Sequence, residues 1–291
     1  MCTNATLTMF HVRPDRPVEP LMLGVLEVVA SVAAKLERQW FVAGAMARDI
    51  VLTGVFGLEV GRATRDVDLA VAVATWEQFT ELKQQLLNTG QFRETKGVTH
   101  RLSYTPTAEN RSYPLDVIPF GGVQSEEKLI AWPPELIEIM SVAGYEEALT
   151  AAIDVEVRPG LVVRVASLPG LAVLKLLAWK DRGDQDSRDA IDLVTLLRRY
   201  SDAGNEDRLY GPELNVLAAV DYRMELAGPR LLGRDVRGIL TQSTATKLKE
   251  ILDGSNDRLV GHMARSFQGA DDSITEVENL LDQFRAGLRG D

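Results

Sequence analysis

Two aspartates two residues apart, Asp66 and Asp68, enter an otherwise apolar run, "RDVDLAVAV", and constrain this chain more than any other feature. Alternation along a strand places residues i and i+2 on one face, so the run predicts a strand over Val67 to Val73 with two carboxylates pointing the same way. Such carboxylates repel each other and resist burial unless something positive stands beside them. An arginine such as Arg62, Arg65 or Arg101 paired with Asp68, with Asp66 capping a turn, meets that need. So does a divalent cation. Asp116 favours the cation: it is the one acid in a second apolar run, "YPLDVIPF", and aspartate is depleted in strands. Magnesium takes oxygen ligands from a few carboxylates plus substrate phosphates. A pair of such ions clamps the attacking and leaving oxygens of a phosphoryl or nucleotidyl transfer.

Upstream, "WFVAGAMARD" reads as a short strand, Trp40 to Ala43, followed by Gly44 and a helix. A glycine between a strand end and a helix start leaves backbone N–H groups facing outward, where a phosphate can approach the chain closely. A tight strand-to-helix turn needs the same residue. Arg48, one turn further on, either touches phosphate or is solvated. Helical periodicity covers Met22 to Arg38 and Thr75 to Leu87. "THRLSYTPTAENRSYPLDVIPF" predicts an antiparallel strand pair around a polar loop, and Arg158-Pro159-Gly160 turns a hairpin. Pro134 to Gly144 reads as irregular or briefly helical. Helices follow from Ser167-Pro169 to Lys180 and from Ser187 to Tyr200. From Ser201 onward the chain is mostly helical, with turn signals at Gly211-Pro212, Gly228-Pro229 and Gly254-Ser255. The composition break near Ser201 to Asp207 predicts an α/β domain over residues 1–200 and a helical region over 201–291.

A formal net charge of −10 argues against a broad nonspecific nucleic-acid surface, which needs a basic footprint, though not against a local basic groove. Three scattered histidines and a single cysteine, Cys2, give little support to Ser-His-Asp or Cys-His chemistry or to a cysteine-rich zinc site. The first residues lack the basic start and apolar core of a signal peptide, and no apolar run is long enough to span a bilayer. A reducing, cytoplasmic setting without a membrane partner is the expectation.

Gly44-Ala45, Asp66-x-Asp68 and Asp116 together resemble the core of the DNA polymerase β-type nucleotidyltransferase superfamily. The longer "VAGAMARD" and "GRATRDVDLAV" resemble its AbiEii/AbiGii toxin-like branch. The likeness spans Phe41 to Tyr200, and R-x-T-x-D-x-D from Arg62 to Asp68 is its most specific piece. It implies an α+β fold, a nucleotidyltransferase-like mixed β-sheet flanked by helices and followed by a helical C-terminal region. It also implies that Asp66 and Asp68 hold two magnesium ions, and that Asp116 completes one site and helps activate an acceptor hydroxyl. Gly44, Ala45, Arg48 and Arg65 would line the nucleotide. The family carries Gly-Ser or Gly-Gly where this chain has Gly44-Ala45, so the hydroxyl that often holds the terminal phosphates is missing. A second match, "LAVLKLLAWKDRGDQDSRDAIDL", resembles the family's lysine-bearing helix and the acidic helix after it. Lys175, the only charged residue from Leu168 to Trp179, would contact nucleotide phosphates or support the acidic cluster. Arg188, Asp189 and Asp192 match the family's basic-Asp-x-x-Asp segment. Asp189 and Asp192 are neighbours on one helix face, and a salt-bridged or solvated face is the plain alternative.

The expected activity is therefore magnesium-dependent transfer of NMP from an NTP to an acceptor hydroxyl, with pyrophosphate released. The resemblance points to RNA, tRNA ends in particular, as acceptor and to an antitoxin as partner. A small-molecule or protein hydroxyl stays open. The rival readings are a nucleotide-binding regulatory module that has lost turnover, motivated by Ala45, and a phosphohydrolase using the same acids. His100 reads as a strand residue packing near the site, and Trp132 as a loop-shaping residue or a base-stacking one.

Overall fold

Short apolar runs bounded by glycine, proline and polar turns become strands, and the longer runs with helical periodicity become helices. The computed structural model describes residues 9–61, 66–106, 112–254, 257–267 and 273–291. In chain order the first elements are β1 (Phe10–His11), α1 (Pro20–Lys35), β2 (Trp40–Ala43) and α2 (Gly44–Asp49), which a π-helical turn (Ile50–Val55) continues. Then come β3 (Val67–Val73), α3 (Trp76–Asn88), β4 (Phe92–Glu94), β5 (Arg101–Tyr104), β6 (Tyr113–Gly121), β7 (Leu129–Ala131) and β8 (Ile139–Ser141). α4 (Tyr145–Thr150), β9 (Ile153–Arg158) and β10 (Leu161–Val165) precede the helices α5 (Leu168–Arg182), α6 (Arg188–Arg199), α7 (Glu206–Tyr210) and α8 (Leu214–Ala218). The last described elements are α9 (Met224–Ile239), α10 (Gln242–Asp253), α11 (Asp257–Ala264) and α12 (Ser273–Arg289). None of the described helices is long and apolar enough to cross a membrane.

The chain divides into two compact units. The first comprises the residues up to Val142 together with Ala152–Ser167, and the second Ala143–Ala151 with Leu168–Asp291. The break expected after Tyr200 falls inside the second unit, because α5 and α6 both pack on α9 and α6 also packs on α12. Helical periodicity marks the faces of those helices but not which neighbour each face meets.

The first unit is built on a mixed sheet ordered β1-β9-β10-β2-β3-β6-β5-β4 among the described residues. β3 runs parallel to β6 and antiparallel to β2, and β5 runs antiparallel to β6. On β3 one face is wholly apolar, with Val67, Leu69, Val71 and Val73 buried. A one-residue slip would turn that face to water and bury Asp68, so the register is firmly set. Leu129–Ala131 and Ile139–Ser141 form a separate antiparallel pair. The segment expected to be irregular or helical thus contributes a strand, held by the hydrogen bond from Trp132 N to Glu138 O.

In the second unit, α9 and α12 come close enough for backbone to meet backbone. A Cβ at Gly233 would overlap the Phe284 carbonyl oxygen, and one at Gly287 would overlap that of Arg230. Gly228-Pro229, expected to turn, lies inside α9 instead. Leu226, Ala227, Leu231 and Leu232 around it are all buried, and their packing outweighs the local breaker signal.

Two glycines of the same helix should therefore respond oppositely to alanine. Gly233→Ala should destabilise the chain by about 1–3 kcal/mol through overpacking. At Gly238 a Cβ meets nothing within 4 Å, and Gly238→Ala should be neutral or stabilising by up to about 1 kcal/mol. Urea unfolding of both variants checks the difference; equal effects would contradict the close crossing.

Candidate active site

Sheet order and register bring four residues into one row across adjacent strands of the first unit. Ala43 lies opposite Asp68, Asp68 opposite Asp116, and Asp116 opposite Arg101. Register partners share a sheet face, so the carboxylates of Asp68 and Asp116 stand side by side. Asp116 is 9% exposed, while Asp68 is only half-buried. The strand begins at Val67 rather than at the first aspartate, and Asp66 sits in the bend just before it.

At Asp116 the need for positive charge is met by Arg101. Its Nε donates to Asp116 Oδ1 and its Nη2 to Asp116 Oδ2, each at 2.6 Å. This is the two-pronged geometry in which guanidinium and carboxylate bind most strongly. The hydrogen bond to Asp116 holds the Arg101 pKa above its ordinary value against the opposing effect of burial, and the charges of Asp116, Asp66 and Asp68 add to it. The sequence suggested Arg101 as a partner for Asp68; its hydrogen bonds go to Asp116, and the charge of Asp68 acts on it as well. Pairing Tyr104 with Tyr113 across β5 and β6 fixes Arg101 opposite Asp116, so the register of that hairpin was the signal that could have identified the pair. Arg62 and Arg65 lie outside the described residues.

Gly44 closes the other end of the row. Its φ of +62° favours glycine, and a Cβ there would overlap Asp68 Oδ2. The residue is required where β2 hands over to α2 because the chain passes directly against the carboxylate. Gly44 and Ala45 are half-exposed, and a helix's first N–H groups lack intrahelical acceptors. Arg48 differs from expectation: it is 2% exposed and donates through Nε and Nη2 to Asp49 Oδ1 at 2.8 and 2.6 Å. A guanidinium buried to that extent is withdrawn from incoming phosphate. A cavity of about 610 Å³ opens beside Asp49, lined by Met22, Met46, Ile50, Gly61 and Tyr113 among others. Its volume lies in the range of small-ligand sites.

Carboxylates are hard oxygen donors of the kind magnesium takes. Among the described residues no group of three His, Cys, Asp or Glu is drawn together as a ready metal cage, and both oxygens of Asp116 accept from Arg101. The donor chemistry and the glycine-lined approach fit a divalent cation at Asp66 and Asp68. Trp132 is 2% exposed and packs against Trp76, Phe79 and His100. It is a core residue, not a platform for a base, and His100 serves the same cluster.

Lys175 and Asp189 belong to the second unit, where they form a closed ionic cluster. Lys175 Nζ lies 3.0 Å from Asp189 Oδ1 and 2.6 Å from Asp192 Oδ2. Arg182 donates to both oxygens of Asp189, at 2.7 and 3.0 Å. Asp189 and Asp192 are 1% and 3% exposed, and Lys175 is 8% exposed. Burial alone would raise the Asp189 pKa, but the Arg182 hydrogen bonds and the Lys175 charge hold it below its ordinary value. Burial likewise opposes the Lys175 charge, and Asp192 and Asp189 overcome it, so its pKa is raised. Arg188 faces outward and pairs with Asp186.

A family model described as nucleotidyl transferase AbiEii toxin, type IV TA system, matches residues 28–273. No curated protein matches the chain. Among solved structures, an antigenic nucleotidyltransferase-like protein from Paracoccidioides brasiliensis is 15% identical, with a TM-score of 0.42 over 72% of this chain and 93% of its own. The antibiotic-resistance factor ANT(2'')-Ia is also 15% identical, with a TM-score of 0.36 over 70% of this chain and 97% of its own. The Thermotoga maritima CCA-adding enzyme complexed with tRNA is 13% identical, with a TM-score of 0.25 over 93% of this chain and 70% of its own.

Removing one member of the buried ionic cluster should be costly. Lys175→Met should destabilise the chain by roughly 3–5 kcal/mol at neutral pH, the usual cost of stranding a buried charge. Asp189, with its lowered pKa, stabilises the fold fully above the unfolded value of about 4 and loses that contribution as pH falls through the folded value. The Lys175 contribution, from a raised pKa, is complete below about 10.4 and fades only as pH rises through the folded value. The deficit of Lys175→Met should thus be greatest near neutral pH and narrow as pH falls, because protonation relieves the stranded carboxylate. Denaturant unfolding across pH measures this, and a deficit that grows in acid would contradict it.

Proposed function

The chain belongs to the AbiEii nucleotidyltransferase toxin family, and from that premise we propose that it transfers NMP from an NTP to an acceptor hydroxyl in a magnesium-dependent reaction. The carrying observation is the register of β3 and β6, which sets Asp68 and Asp116 abreast, with Gly44 pressed against Asp68. Asp66 and Asp68 would hold the divalent cation, with Asp116 completing the set. When bound, that cation supplies charge neutralisation for the phosphates and the departing pyrophosphate.

The remaining work falls to the chain's own residues. The backbone at Gly44 and Ala45 would receive the phosphates through N–H groups at the start of α2. The side of the cavity formed by Met46, Asp49 and Tyr113 offers room for the nucleoside. With the triphosphate held there, the acceptor oxygen bonds to the α-phosphorus as the bond to the bridging oxygen breaks, and pyrophosphate leaves with the electron pair. The acceptor proton passes to a carboxylate of the row or to water. Positioning and fixed charge supply most of the acceleration in such a transfer. We assign Lys175 to the acidic cluster of the second unit, as the countercharge of Asp189 and Asp192, because its ammonium is held by both carboxylates. The acceptor class to test first is RNA, tRNA ends included, and the family's toxin designation makes an antitoxin the partner to seek.

Incubation with each α-labelled NTP, Mg²⁺, and either total RNA or a protein and small-molecule extract tests the proposal. Label should move to an acceptor, disappear with chelator, and fall at least about a hundredfold in Asp68→Asn. Nucleotide binding without any transfer in either pool would overturn the transfer reading and leave a regulatory module. Release of labelled nucleotide alone would indicate hydrolysis.

A further inference from the structure

The row that carries the proposed cation site already contains a cation of its own. We infer that Arg101, the countercharge of Asp116, competes with the divalent cation for that carboxylate, so that it sets the affinity with which the site loads. The inference rests on the proposed reading of Asp66, Asp68 and Asp116 as cation ligands and adds a residue outside that ligand set.

Two observations carry it. Both oxygens of Asp116 accept hydrogen bonds from the Arg101 guanidinium, and that fork occupies the carboxylate edge a cation would use. Arg101 also has somewhere to go. It is the first residue of β5, and its side chain is 36% exposed against 13% for that of Asp116. Arginine stays protonated throughout the accessible pH range, so the pair is released by displacement and not by titration. A guanidinium and a dication drawn to one carboxylate repel each other, and each must weaken the hold of the other.

Mn²⁺ binding to the full chain, followed by electron paramagnetic resonance and calorimetry without nucleotide, tests the competition. Arg101→Gln keeps a polar side chain of similar reach without the charge and should bind Mn²⁺ at least tenfold more tightly than the wild type. Arg101→Lys keeps the charge but loses the two-pronged grip and should bind severalfold more tightly. If Arg101→Gln does not fold, the lysine variant decides alone. Variants that bind Mn²⁺ no tighter than a wild type whose binding depends on Asp68 would overturn the inference and leave the proposed site standing. No Mn²⁺ binding in the wild type or in either variant would overturn both.

Discussion

Two carboxylates abreast on neighbouring strands are the constraint around which the first unit is arranged. Asp68 and Asp116 are register partners on β3 and β6, and nothing in a strand's own chemistry favours that placement. Each neighbour in the row answers it. Arg101 grips Asp116 from β5, and on the opposite flank Gly44 gives Asp68 the space a side chain would take. The apolar face of β3 fixes the register, so the acids cannot slip from one sheet face to the other. Sheet order β2-β3-β6-β5 is thus also an electrostatic order.

The second unit handles buried charge in a different way. Lys175, Arg182, Asp189 and Asp192 balance one another in a cluster whose carboxylates are almost wholly withdrawn from water. Breaking such a cluster is costly, whereas its net contribution relative to an apolar core is small. In the first unit Asp66 and Asp68 are only half-buried, and Asp116 is held by Arg101.

Much of this was legible in the chain. Strands at Trp40–Ala43 and Val67–Val73, the glycine between strand and helix, and the antiparallel pair around Asp116 follow from local pattern, and the structure contains them. The family reading carried by Arg62 to Asp68 and its surroundings matches the family model over residues 28–273. What local pattern missed depends on partners distant in sequence. Arg48 has no sequence signal distinguishing a buried partner of Asp49 from a phosphate ligand, because both place an arginine one turn into a helix. Trp132 could be assigned to the core only once Trp76, Phe79 and His100 were seen around it. Pro229 reads as a turn until α12 is placed against α9. Arg101 was visible as a partner for an aspartate, but choosing Asp116 over Asp68 required the hairpin register.

The central claim is that Asp66, with Asp68 and Asp116 of the row, receives a divalent cation together with nucleotide phosphates. Diffraction from crystals of the full chain grown with Mn²⁺ and a non-hydrolysable NTP analogue, collected at the manganese absorption edge, tests it most directly. The account predicts anomalous density coordinated by the carboxylates of Asp66 and Asp68, with the phosphates against the Gly44–Ala45 backbone. Bound nucleotide with manganese elsewhere, or with none beside Asp68, would contradict it.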